Sequence, residues 1–243
     1  MKTLARIATP VLAAATALGL MSTSASALTE EPTVAIHRDN AEGELYSGNF
    51  RFTNLVPLSL SASFPLLGTV TAQCSNANLS GTLTYDGLNV TLDSATVSGC
   101  TSSVGTASVS FEQLPYDDAV VDYAPGPNGR NGTLTFTDTS LRVKASISLP
   151  LLGTFTCYYG LNSSITSLTF DLYNPDNSNR PDDSVNEAQA KMQNATLARL
   201  SGSNALCPTT GTASGYGTVK GETVANSGVF DQTLYATEAD EAE

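Results

Sequence analysis

The chain is 243 residues long, carries 23 acidic against 11 basic side chains for a formal charge of −12, and contains one histidine, four cysteines and no tryptophan. A field of that sign repels nucleic-acid phosphates and anionic lipid surfaces, so neither is expected as a partner. One histidine and four widely spaced cysteines cannot build an imidazole–thiolate zinc site.

At the N-terminus, Lys2 and Arg6 precede an apolar run from Val11 to Met21 and then Ala25-Ser26-Ala27, the pattern of an export signal cut before Leu28. The run is shorter than the roughly 20 residues that span a bilayer. With no twin arginine, no cysteine at the cut and no apolar C-terminal stretch, residues 1–27 are expected to be removed. The remainder is expected outside the cell as a soluble protein, exported by the general secretory route and not membrane-spanning. Its wealth of Thr, Ser, Val, Gly and Tyr and its scarcity of Lys are a β-rich extracellular composition. Residues 28–45, with the single His37, read as an N-terminal arm.

Two copies of one pattern follow. Ser63-Phe-Pro-Leu-Leu-Gly-Thr69 is answered by Ser148-Leu-Pro-Leu-Leu-Gly-Thr154, and at the same offset of 85 Leu83-Thr-Tyr-Asp86 is answered by Leu168-Thr-Phe-Asp171. Upstream, Phe50-Arg-Phe-Thr-Asn54 corresponds to Leu134-Thr-Phe-Thr-Asp138; downstream, Asn89-Val-Thr-Leu92 corresponds to Asn194-Ala-Thr-Leu197. The copies run over 46–123 and 132–236, separated by a Pro/Gly linker at 124–131 and followed by an acidic tail at 237–243.

The cysteines follow the repeat. In an exported chain Cys74, Cys100, Cys157 and Cys207 are expected in two disulfides. Counted from Gly68 and Gly153, the first cysteines fall at +6 and +4; counted from Leu92 and Leu197, the second fall at +8 and +10. Opposite shifts of two keep each residue on its face and keep antiparallel partners opposite. The pairs are therefore Cys74 with Cys100 and Cys157 with Cys207, one per copy.

Within copy one, alternating strands at 81–85 and 88–92 flank Asp86-Gly87, a hairpin turn signal. Further short strands are predicted at 58–64, 69–74, 106–111, 141–147, 154–159 and 212–219. The fold class is all-β: tandem duplicated antiparallel sandwich- or barrel-like modules, each with one disulfide. Whether they share one core is left open by the pattern. Copy two departs at the Asp-Gly turn, where an insertion, 172–193, replaces two turn residues. Val185, Ala188 and Met192 fall there at helical spacing after Ser184, with Glu187 three residues beyond the cap, so a short amphipathic helix is predicted at 184–193.

Chemistry is thinly represented. No G-x-S-x-G elbow or S-x-x-K motif accompanies His37, so no nucleophile has a base and no catalytic residue is assigned. Calcium takes oxygen ligands; Asp176, Ser178, Asp182 and Asp183 in the insertion, or Asp117 and Asp118, could offer them, though none matches a known calcium-loop spacing. No other cofactor is expected. Tyr158 and Tyr159 must point to opposite faces of their strand, so at most one is free to bind. Sequons at Asn78, Asn89, Asn131, Asn162 and Asn194 read as coincidental.

The leading expectation is a secreted, non-catalytic binding or structural module with an extracellular protein, glycan or envelope partner. The alternatives are a hydrolase with carboxylates in a cleft between the copies and a carrier of a small apolar ligand. Buried acids from different strands would favour the hydrolase, and an apolar cavity inside a closed barrel would favour the carrier.

Overall fold

A computed structural model describes residues 32–65, 67–149 and 153–240. The segment read as an export signal and the last three residues of the acidic tail lie outside the described residues. Fourteen strands are present among the described residues: β1 (Val34–Arg38), β2 (Gly48–Asn54), β3 (Leu58–Phe64), β4 (Gly68–Leu83), β5 (Val90–Ser102), β6 (Thr106–Glu112), β7 (Tyr116–Tyr123), β8 (Gly132–Phe136), β9 (Arg142–Leu149), β10 (Gly153–Gly160), β11 (Leu168–Tyr173), β12 (Gln189–Arg199), β13 (Thr210–Gly221) and β14 (Gln232–Glu238).

All of them belong to one antiparallel sheet system, so the two halves of the chain do not form separate sheets. Four strands, β4, β5, β12 and β13, are long and continuous. The other positions are long strands broken near the middle: β2 runs on into β3, β6 into β7, β8 into β9, and β10 into β11. Along the chain each position pairs with the next. β13 then returns to pair with β2 and β3. The sheet is therefore an up-and-down meander closed on itself, which leaves no free edge around the ring.

Round most of the ring the breaks lie opposite one another and form the waist of the barrel; across β5 they are staggered, the β6–β7 break lying beside the Leu92↔Tyr116 pair. Two contain proline, Pro57 between β2 and β3 and Pro115 between β6 and β7, which cannot donate to a ladder. In the unbroken β4 and β5 the inward–outward alternation flips at the waist, where Ser75, Asn76, Ser98 and Gly99 are all exposed. Gly99 has φ +65, a left-handed conformation that suits glycine. Away from the flip the period is two: Val70, Ala72 and Cys74 face inward on one side of it, and Ala77, Leu79 and Leu83 on the other. The hydroxyls of the composition lie on the outer faces, where they pair across strands: Thr82 with Thr91 at 2.8 Å, Ser148 with Thr154 at 2.7 Å and Thr135 with Thr169 at 3.2 Å.

The disulfides are Cys74–Cys100 and Cys157–Cys207. The register argument for the first is literal, since Cys74 and Cys100 are direct partners in the β4–β5 ladder. For the second it holds only in outcome. Cys157 lies on β10, but Cys207 sits in the loop between β12 and β13, which is laid against β10 by Asn204 N–H to the Thr156 carbonyl at 2.9 Å.

Several expectations are corrected. No α-helix occurs among the described residues. The predicted helix at 184–193 is a loop that passes into β12 at Gln189, because carbonyls a helix would have used are taken elsewhere, Val185's by Gln189 and Arg180 and Ala188's by the Val219 N–H (2.8 Å). Gln189 Nε2 donates to the carbonyls of Asp182 (2.7 Å) and Val185 (3.2 Å), and Arg180 Nε to that of Val185 (3.1 Å). The inserted loop is accordingly 174–188, since Leu172 and Tyr173 complete β11. The 28–45 arm contains β1, paired along its length with β14, and His37 is bound to the Gly43 carbonyl (2.8 Å) and Thr237 Oγ1 (3.0 Å). Part of the region read as a tail, Thr237–Glu238, ends β14. The Asp86-Gly87 hairpin is present with a wider loop, 84–89, between strands that run well beyond the predicted 81–85 and 88–92. Gly87, at φ +70, packs so closely that a Cβ would lie 2.4 Å from the Val121 carbonyl oxygen. The Pro/Gly stretch at 124–131 is the β7–β8 connection, with a 3-10 turn at Pro127–Gly129.

β1 and β14 close one end of the barrel. Val34, Ile36 and Leu234 are buried beneath it. Asn174 fixes β14 to the inserted loop by receiving the Ala236 N–H (2.9 Å) and donating to its carbonyl (2.8 Å). The Lys220–Glu187 ion pair at 2.7 Å ties the same loop to β13.

Candidate functional site: the apolar interior

Inward positions carry Phe, Leu, Val, Ile and Ala from every part of the ring, yet they do not fill it. Three cavities of about 90, 80 and 70 Å³ follow one another along the interior. The first two are separated by a collar of Phe52, Leu79, Leu92, Phe136 and Phe170, which line both. The second and third share Leu60, Val109, Val143, Leu197 and Ala213. Phe136 and Phe170 meet edge to face with centroids 6.2 Å apart. Several residues packed against the core, including Leu58, Leu60, Val97, Phe111 and Met192, are only partly buried, as expected of side chains bordering free space. An eight-position ring of strands leaves room for side chains to fill or for one small ligand, and this interior lies between those extremes.

The polar groups near the cavities are already engaged. The Gln189 and Asn174 amides bind backbone groups as described, and no buried side-chain N or O among the described residues lacks a partner. Tyr159 points inward, its hydroxyl 3.5 Å from the Pro208 carbonyl oxygen, and burial pushes its pKa up to about 12 against the opposing pull of Arg199. Burial likewise raises Tyr46, Tyr116 and Tyr173. Tyr158 points outward, covered by the Arg142 guanidinium 3.9 Å from its ring.

Two of the carboxylates near these loops, Glu222 and Asp182, have close local partners. Burial opposes the ionisation of Glu222, but donors from Asn49 Nδ2 (2.9 Å), Gly228 N (2.7 Å) and Asn226 N (2.6 Å) outweigh it and hold the carboxyl below its usual range. These contacts fix the β13–β14 turn. In the inserted loop Asp182 Oδ1 receives the backbone N–H and hydroxyl of Ser184, Asp183 offers its carbonyl to Arg180, and Asp176 is placed near Tyr235. Asp117 N–H donates to Asp138 and the Asp118 carbonyl accepts from Thr137 N–H. Among the described residues no group of three or more His, Cys, Asp or Glu side chains is arranged to hold a metal. The cavity-lining residues were missed by sequence reasoning, which treats an alternating apolar position as core; only ring closure shows that the core is under-filled.

Comparison with known proteins gives no match: no family model fits the chain, and no curated protein or solved structure matches it.

Proposed function

We propose that this is a secreted, non-catalytic binding protein that carries a small apolar ligand inside its barrel. The observation that carries the reading is the series of linked cavities walled almost wholly by hydrocarbon. Leaving such surface uncovered forgoes the dispersion contacts of a close-packed interior, so a ligand of the same chemistry has a favourable place to go. The polar exterior supports a carrier that faces water, since a lipid-facing barrel presents an apolar band outward. The two disulfides fit an oxidising compartment, and with the sequence pattern of residues 1–27 they support export.

The barrel is further read as a duplication, one disulfide to each half. The pairings support this: β2–β4, β3–β4 and β4–β5 are answered by β8–β11, β9–β10 and the junction of β10 and β11 with β12. The contacts of β6 and β7 with β9 and β8 are answered by β13 with β3 and β2.

The test uses 1-dodecanol as an uncharged, ring-free probe, titrated by calorimetry, and the variant Val97→Phe, which places a ring into the middle cavity. The wild-type protein should bind the probe, while the variant should lose it without a lower unfolding midpoint. In a filled core the added volume would instead cost about 1–3 kcal/mol. A destabilised variant, or a wild type that takes up no probe, would reject the proposal.

A further inference from the structure

Two irregularities flank one short piece of β13. On one side β13 changes partner, from β2 at Gly217↔Asn54 to β3 at Ser214↔Ser59, across the Leu55–Pro57 break. On the other, β12 shifts register against β13 between Met192 and Ala195. Gly215–Tyr216 stays paired with Met192 and Lys191 of β12, but towards β2 and β3 it is held only by the Leu55 N–H to Tyr216 carbonyl bond (3.0 Å), and a recess of about 240 Å³ opens outside it. Val56, Met192, Gly215 and Tyr216 line both this recess and the middle cavity. The partition is one layer thick, and the side chain at its centre is methionine, unbranched and adaptable.

The recess also holds an unmatched charge. Lys144 pairs with Glu112 and Lys220 with Glu187, whereas Lys191, on the rim beside Ser59 and Ser214, has no ion-pair partner among the described residues. Each interior cavity is smaller than the ~150 Å³ that accommodates benzene. Joined end to end, they suit a thin chain better than a ring system.

Resting on the carrier reading, we infer that the recess is a side entrance for a straight-chain fatty carboxylate, with Met192 as its gate, the alkyl chain in the cavities and the head group at Lys191. The overall negative charge works against an anion at long range, so the recognition is local and screened by salt.

The mature protein is titrated with dodecanoate and with dodecanol, before and after Lys191→Gln. Wild type should bind both, the acid more tightly. The variant should lose about two- to fivefold in affinity for the acid, the range of an exposed ion pair, and nothing for the alcohol. Met192→Trp should slow association of both ligands with an unchanged far-UV spectrum. An acid-to-alcohol ratio untouched by Lys191→Gln would overturn the entrance while the carrier stands; a wild type that binds neither molecule would remove both.

Discussion

Replacing each disulfide by a pair of alanines probes how the barrel is held together. The bridges close loops of 26 and 50 residues, and loop-closure entropy assigns them about 3.5 and about 4.1 kcal/mol at 25 °C. Alanine is the proper substitute at Cys74, which is 0% exposed, because serine would bury a hydroxyl there. For a domain of this size each loss corresponds to a drop in Tm of about 7–16 °C. The loops do not overlap in sequence, so removing both should cost nearly the sum, about 7.6 kcal/mol, which is half or more of the 5–15 kcal/mol typical of a folded domain. Urea unfolding followed by tyrosine fluorescence and far-UV circular dichroism measures these quantities, with nine tyrosines and no tryptophan as the intrinsic signal. A loss under about 1 kcal/mol for either pair would refute the account, as it would mean that the unfolded chain is not the state the bridges constrain.

Three other outcomes are expected. Asn174→Ala should cost about 1–3 kcal/mol by leaving the Ala236 backbone groups unpartnered, with faster amide exchange along β14 than along β4; equal exchange would contradict the role of Asn174. Gly87→Ala should destabilise by more than the usual glycine-to-alanine difference of about 1 kcal/mol, because φ is +70 and the new Cβ meets the Val121 carbonyl; an unchanged urea midpoint would count against that packing. Stability should also fall between about pH 10 and 12. Tyr159 keeps its proton in the folded state up to about pH 12, while the unfolded chain loses it near 10. The unfolded state then binds fewer protons, so the slope is negative, approaching about 1.4 kcal/mol per pH unit for this group. Tyr46, Tyr116 and Tyr173 shift in the same direction. Tyrosine absorbance and unfolding midpoints recorded together would test this, and a flat stability profile across that range would reject it.

Much of the local structure was readable because it is written at period two. The strands around the Asp86-Gly87 turn, the alternation of Tyr158 and Tyr159, and the facing of Cys74 and Cys100 all follow from which way successive side chains point. The misread helix shows where that logic ends. Ala188 and Met192 do approach the interior, but from the end of a loop and from a strand, since a separation of four residues puts two side chains on one face of an extended chain as well as of a helix. The β1–β14 pairing was hidden by distance, since Val34 and Glu238 are partners from opposite ends of the chain. The candidate site was hidden for a related reason. A cavity depends on how large a ring the strands close, and a list of apolar positions carries no information about its circumference.

Closure by β13 also has a consequence for biogenesis. The seam joins residues 212–221 to residues 50–61, so it cannot be sewn until β13 itself has been synthesised. Until then β2 and β3 display one unpaired rim and β12 the other, each able to recruit a second nascent molecule. Such distant partners meet slowly. Closure of the ring thus sets a late intramolecular pairing against association between incomplete chains.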